Sequence, residues 1–213
     1  MERYFDRKSA GLILAKLLKK YARQPETIVL GLPRGGVPVA YEIAQKLSLP
    51  LDVFIVRKIG APNQPELAMG AIASGDVAFY NQKLMQSLQV SKNDLISIVE
   101  AEREELKRRE QLYRGDRPEL KLQNKTIILV DDGIATGATV HAAIKSIRLQ
   151  HPASIIVAAP VAAKDTCEVL AQEVDEFICP MRPEPFGAVG YWYDQFPQTS
   201  DTEVMELLEH HLT

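Results

Sequence analysis

At 213 residues, with 46% hydrophobic and 25% charged residues, the chain has the balance of an ordinary folded protein and is not largely disordered. Its net charge of −3 and pI near 5.9 supply no general attraction for nucleic acid or an anionic membrane, so neither is an expected partner. Cys167 and Cys179 lie in neither a CxxC nor a Cys/His cluster, which argues against a zinc site or a disulfide scaffold and fits a reducing cytoplasm. The charged opening residues are not expected to act as a secretory signal, and no apolar run approaches the ~18 residues of a membrane span.

In chain order, Ala10, Ile13, Leu14, Leu17 and Leu18 recur at three and four, which predicts an amphipathic helix over 7–21. A short apolar strand over 27–30 stops at Gly31-Leu32-Pro33-Arg34-Gly35-Gly36, and a helical pattern resumes over 37–47. A second strand over 51–56 ends in Arg57-Lys58. The stretch from there to Glu66, rich in proline, glycine and asparagine, reads as a mobile loop. Segments 67–74 and 77–80, around Gly75-Asp76, suit a small antiparallel ribbon. Residues 91–113 predict a long charged helix with Ser91 as N-cap. Its apolar stripe is narrow, and its charge run 102–110 reads as a solvated face with i,i+4 ion pairs.

The second half alternates cleanly: strand 126–130, helix 139–149, strand 154–159, helix 163–171, strand 176–179. Such alternation argues for a parallel sheet flanked by helices, which binds ligands at the carboxyl ends of its strands. The loops after Leu30, Val56 and Val130 are therefore the places to look.

Val130-Asp131-Asp132-Gly133-Ile134-Ala135-Thr136-Gly137-Ala138-Thr139 follows a hydrophobic strand and opens a helix. From Ala135 to Thr139 the residues are small, so backbone N–H groups can close around an anion, with Thr136 and Thr139 adding hydroxyls at the positive end of a helix. Two carboxylates just upstream would repel that anion on contact, but they can accept hydrogen bonds from vicinal hydroxyls or engage a hydrated Mg²⁺. An acidic pair beside an anion cradle implies a sugar phosphate.

In this order, after an apolar strand, these residues resemble the phosphoribosyl pyrophosphate motif of type I phosphoribosyltransferases, apart from Gly133, where the usual pattern has a hydrophobic residue. The resemblance implies that family's fold: a central parallel sheet flanked by helices, with a small hood. One domain over 1–213 is expected, its core at about 24–180 and its hood at 181–213, with a contribution from 1–23. The resemblance further implies a pyrophosphate loop at Pro33, Arg34, Gly35 and Gly36, with Arg57 as a further phosphate contact. It implies a basic pair, Arg57 and Lys58, before a mobile lid at 59–70 that contains Glu66, and Mg²⁺ as cofactor.

It assigns Ala135, Thr136, Gly137, Ala138 and Thr139 to the 5′-phosphate, Asp131 and Asp132 to the ribose and metal, and Arg34 and Lys58 to the departing pyrophosphate. Phe186, Tyr191 and Trp192 become acceptor contacts in the hood, and Asp194 a metal-associated carboxylate. His141 reads as structural. The implied reaction transfers the phosphoribosyl group to a nitrogen acceptor, a nucleobase among the candidates, with release of pyrophosphate, in a cytoplasmic homodimer. Two alternatives stay open: a non-catalytic regulator sensing phosphoribosyl pyrophosphate or a nucleotide, and a phosphatase using Asp131 as nucleophile.

Overall fold

The computed structural model describes residues 3–62, 64–75 and 77–211, with the side chains of Pro65 and Glu66 outside that description. The expected turn residue Asp76 and the side chain of Glu66 therefore lie outside the described residues. In chain order the elements are helix α1 (Arg7–Leu17), strand β1 (Thr27–Gly31), α2 (Gly36–Leu47), β2 (Leu51–Val53), β3 (Val56–Ala61), β4 (Gln64–Ala73) and β5 (Val77–Tyr80). They continue with α3 (Gln82–Ser87), α4 (Lys92–Arg114), β6 (Thr126–Val130), α5 (Ala138–Arg148), β7 (Ser154–Ala158), α6 (Lys164–Ala171), β8 (Glu176–Ile178) and α7 (Asp201–His210).

Five strands form a parallel sheet in the order β2-β1-β6-β7-β8. Its strands are near-continuous apolar runs because both faces are covered. Along β6, Ile128 and Val130 enter one core with Val29, Val53 and Ile156, beneath α1, α2, α4 and α7. Ile127 and Leu129, pointing the other way, enter a second core with Ile155 and Val157 beneath α5 and α6. Each of these fully buried aliphatic side chains removes enough surface from water to contribute about 1.5–3 kcal/mol before entropy is counted.

The largest correction concerns the stretch after β2. The strand expected over 51–56 ends at Val53. Instead of a mobile loop, Val56–Ala61 and Gln64–Ala73 are strands of a second, antiparallel sheet, β3-β4-β5. The ribbon expected over 67–80 is present, but β4 is longer and pairs on both sides. Register shifts at Ile59/Gly60 and Gly60/Ala61 break the alternation that a strand would show in the sequence. α4 begins as expected, with Ser91 accepting from Asp94 N–H. One face is exposed, with Arg108 and Arg109 pairing with Glu105, while Val99, Leu106 and Tyr113 are buried on the other.

A third apolar cluster joins the two ends of the chain: Tyr4 and Ala10 pack with Val161, Trp192 and Tyr193, bordered by Phe186, Val189 and Phe196. Tyr4 pairs with Tyr193 as an isolated parallel bridge. The segment from 181 is irregular up to about 200, after which α7 returns to pack on α2 and α4. Cys167 and Cys179 are buried free thiols; burial pushes Cys179 up to about 12, which leaves it inert. Among the described residues no helix is long and apolar enough to cross a membrane.

Candidate active site

Three parallel strands feed directly into helices, and all three helices, α2, α5 and α6, begin without a side-chain cap. By contrast α1, α3, α4 and α7 are capped by Asp6, Asn81, Ser91 and Ser200. An uncapped first turn leaves N–H donors for a ligand. The carboxyl edge of the parallel sheet is therefore lined with helix N-termini that no side chain caps, and the loops after β1 and β6 meet there.

The loop after β1 is tied to the loop after β6 by Leu32 N–H donating to Val130 O, at 2.9 Å. The Pro33–Arg34 peptide is cis, and Gly36 N–H donates to Leu32 O at 3.0 Å, starting α2. A Cβ at Gly36 would lie 2.6 Å from Val130 O, and one at Gly35 2.0 Å from Asp132 Oδ2. Both glycines are required by close approach of the second loop. Arg34 Nη1 lies 3.8 Å from Asp201 Oδ1 at the start of α7, and the Tyr113 hydroxyl donates to the same oxygen at 2.5 Å. A C-terminal carboxylate thus sits beside Arg34 of the loop after β1, a relationship with no local sequence signal.

In the loop after β6, Asp131 and Asp132 are half-buried and adjacent. Burial pushes the Asp131 carboxyl well above the usual carboxylate range, and the neighbouring Asp132 charge adds to this. Burial also raises Asp132, against the opposing effect of the Arg7 guanidinium. Arg7 is the residue that sequence reasoning missed. Its Nε donates to Asp132 Oδ2 at 2.8 Å and its Nη1 to Pro197 O at 2.6 Å, and its guanidinium carbon lies 3.8 Å from the centre of the Phe196 ring. Its only sequence signal is a charge at the start of α1, more than a hundred residues from Asp132.

Gly133, the departure from the usual motif, has a physical partner. A Cβ there would lie 2.4 Å from Val189 Cγ1 and 3.2 Å from Val161 Cγ1. Val189 fills the volume that a hydrophobic residue at 133 would take. The turn then runs through Ala135, whose carbonyl accepts from Thr166 Oγ1 at 2.7 Å, to Gly137 at φ 73°. A left-handed residue there lets the chain enter α5 uncapped. Ala135, Thr136, Ala138 and Thr139 are exposed around this start, and Thr136 and Ala138 border a cleft of about 350 Å³ that runs on to Thr166 and Leu170. His141 Nδ1 lies 2.7 Å from Glu173 Oε2.

The other expected site residues are distributed less simply. Arg57 and Lys58 do not end a parallel strand; they lie within β3. Arg57 Nε donates to Glu102 on α4 at 2.6 Å, so it is engaged away from the loops. Neighbouring strand residues face opposite ways, which puts Lys58 on the same side of β3 as Val56 and opposite Arg57. Trp192 is buried, its indole N–H donating to Phe186 O at 2.9 Å, so it braces the irregular segment from 181 and is not an open contact. Phe186 is half-buried at the edge of the same cluster, and Tyr191 is exposed. Asp194 is exposed, and its N–H donates to Tyr4 O at 2.9 Å. Among the described residues no group of three or more His, Cys, Asp or Glu side chains is arranged around a metal.

A parallel α/β sheet with an acidic pair and a small-residue turn at one strand end, facing a glycine loop at the next, defines a type I phosphoribosyltransferase fold. The chain belongs to the phosphoribosyl transferase domain family, whose model matches residues 2–180. It is 40% identical over 209 residues to Rv0571c of Mycobacterium tuberculosis H37Rv, provisionally named a phosphoribosyl transferase, and to its counterpart MT0597 in strain CDC 1551. That alignment covers 98% of this chain and 47% of either relative, so the chain spans about half the length of the curated relatives it matches. It is also similar to the crystal structure of TT1426 from Thermus thermophilus, at 36% identity, 98% coverage of both chains and a TM-score of 0.87.

Proposed function

We propose that the protein transfers the phosphoribosyl group of phosphoribosyl pyrophosphate to a nitrogen acceptor and releases pyrophosphate. The observation that carries this reading is the contact of Asp132 Oδ2 with Gly35: a ribose-type acidic loop and an anion-type glycine loop are packed to within one atom of each other. A donor whose sugar carries phosphate at one end and pyrophosphate at the other matches that pair of loops. Family membership supports it.

In this reading the N–H groups of 135–139 and the hydroxyls of Thr136 and Thr139 hold the 5′-phosphate at the head of α5. Asp131 and Asp132 accept from the ribose hydroxyls, and the backbone of 33–36 with Arg34 holds the pyrophosphate. Lys58 is assigned to the same charge. Arg57 is left out, since Glu102 holds it. The donor set fits Mg²⁺: two adjacent hard-oxygen carboxylates, half-buried, whose mutual repulsion a divalent cation relieves. When bound, Mg²⁺ supplies neutralising charge on the leaving pyrophosphate. The protein's part is to fix donor geometry and to place Arg34 where negative charge develops, which favours the transition state over the bound donor.

The hood from 181 lies beyond the family match, so acceptor choice belongs to the least transferable part of the chain. Phe186 is the proposed ring for the acceptor to stack on, with Tyr191 as the exposed neighbour. A homodimer in the cytoplasm is part of the proposal. The test is pyrophosphate production from phosphoribosyl pyrophosphate and Mg²⁺ over a panel of purines, pyrimidines and other nitrogen acceptors. Release with at least one acceptor is expected. Tight donor binding with no turnover on any of them would favour a sensor on this fold.

A further inference from the structure

We infer that Arg7 is a positioning residue that sets the spacing between the ribose loop and the pyrophosphate loop. The inference rests on the donor-binding reading above. The same oxygen of Asp132 accepts from Arg7 Nε and lies against Gly35, so one atom joins α1, the loop after β6 and the loop after β1.

The contacts around Arg7 close on themselves. Its guanidinium rests on the Phe196 ring, Phe196 stacks on Tyr193 with centroids 4.8 Å apart, and the Tyr193 hydroxyl donates to the carbonyl of Asp132 at 2.5 Å. Both the carboxylate and the backbone carbonyl of Asp132 are thereby held by one group of side chains. At the other end, the Asp6 carboxylate accepts from Ser9 N–H at 2.7 Å and Ser9 Oγ accepts from Asp6 N–H at 3.0 Å, a capping box that fixes the first turn of α1, where Arg7 stands. Arg7 and Asp132 are 11% and 14% exposed, which separates this pair from a solvent-screened surface ion pair of little consequence. A planar cation with two directed donors and a face for stacking is needed here; an ammonium can meet Asp132 but cannot also reach the Pro197 carbonyl in the same geometry.

The experiment is calorimetric titration of the full chain with phosphoribosyl pyrophosphate and Mg²⁺. It compares wild type, Arg7→Ala, Arg7→Lys, Asp132→Asn and the Arg7→Ala/Asp132→Asn double variant, each checked for folding by its melting transition. Arg7→Ala should weaken donor binding by about tenfold or more, Arg7→Lys should recover part of the loss, and Arg7→Ala should add nothing in the Asp132→Asn background. A clasp that only stabilised the fold would move the melting temperature and leave donor affinity in the folded fraction unchanged. Should Arg7→Ala not fold, Phe196→Leu removes the ring beneath the guanidinium and is expected to weaken binding in the same direction. Wild-type affinity in folded Arg7→Ala, or independent, additive losses in the double variant, overturns the inference while leaving the donor reading in place. A folded wild-type protein that binds no donor overturns both.

Discussion

The Asp132 carboxylate occupies the space that a methyl group on Gly35 would need, its Oδ2 2.0 Å from where that Cβ would stand. Two residues almost a hundred positions apart are thus fitted to each other, and each loop is shaped by the other. Gly35→Ala should therefore push Asp132 away from both Gly35 and Arg7. The expected cost is about 1–3 kcal/mol of stability from overpacking, with a larger effect on donor affinity. Urea unfolding alongside donor titration checks this. An alanine variant that keeps both stability and affinity contradicts the close approach.

Gly133 and Val189 form a second fitted pair, this time between the loop after β6 and the irregular segment from 181. Gly133→Ala should destabilise by about 1–3 kcal/mol, and Val189→Ala in that background should restore part of the loss by vacating the space. Val189→Ala alone leaves a small void and should destabilise modestly. Thermal melts of the three variants measure the coupling. Additive effects would mean that the two residues do not share one volume.

His211 provides a pH test of how α7 is held. Its Nε2 lies 2.7 Å from Leu49 O, and burial pushes the ring below its usual value of 6.5, outweighing that hydrogen bond. As pH falls through about 6.5 the unfolded chain takes up the proton before the folded chain does, so stability present above that pH is lost on acidification. The difference in unfolding free energy between wild type and His211→Leu should shrink from pH 7.5 to pH 5.5. A difference that is constant or grows contradicts the assignment.

The parallel sheet was legible in the sequence because its strands are buried on both faces and read as unbroken apolar runs, as at Ile127–Val130. The turn over 131–139 between β6 and α5 was legible because its small and acidic residues follow one another along the chain. The antiparallel sheet was hidden by the register shifts near Gly60, which erase period-two alternation and leave proline, glycine and asparagine to suggest a loop. Arg57 looked like a phosphate ligand because its partner, Glu102, stands 45 residues away on a helix that reads as solvated. Trp192 looked like a ligand contact because a dense aromatic run is the same in sequence whether it packs inward or faces a pocket. Arg7 and Asp201, which touch the two loops from opposite ends of the chain, carry no local signal; only tertiary packing brings them to the site.

The central claim is that Asp131 and Asp132 grip the sugar of a phosphoribosyl donor. Its most direct measurement is calorimetry with phosphoribosyl pyrophosphate and Mg²⁺ on wild type and on the Asp131→Asn/Asp132→Asn double variant. The account predicts a saturable heat for wild type and none for a double variant that still melts cooperatively. Unchanged affinity in that folded double variant would contradict it.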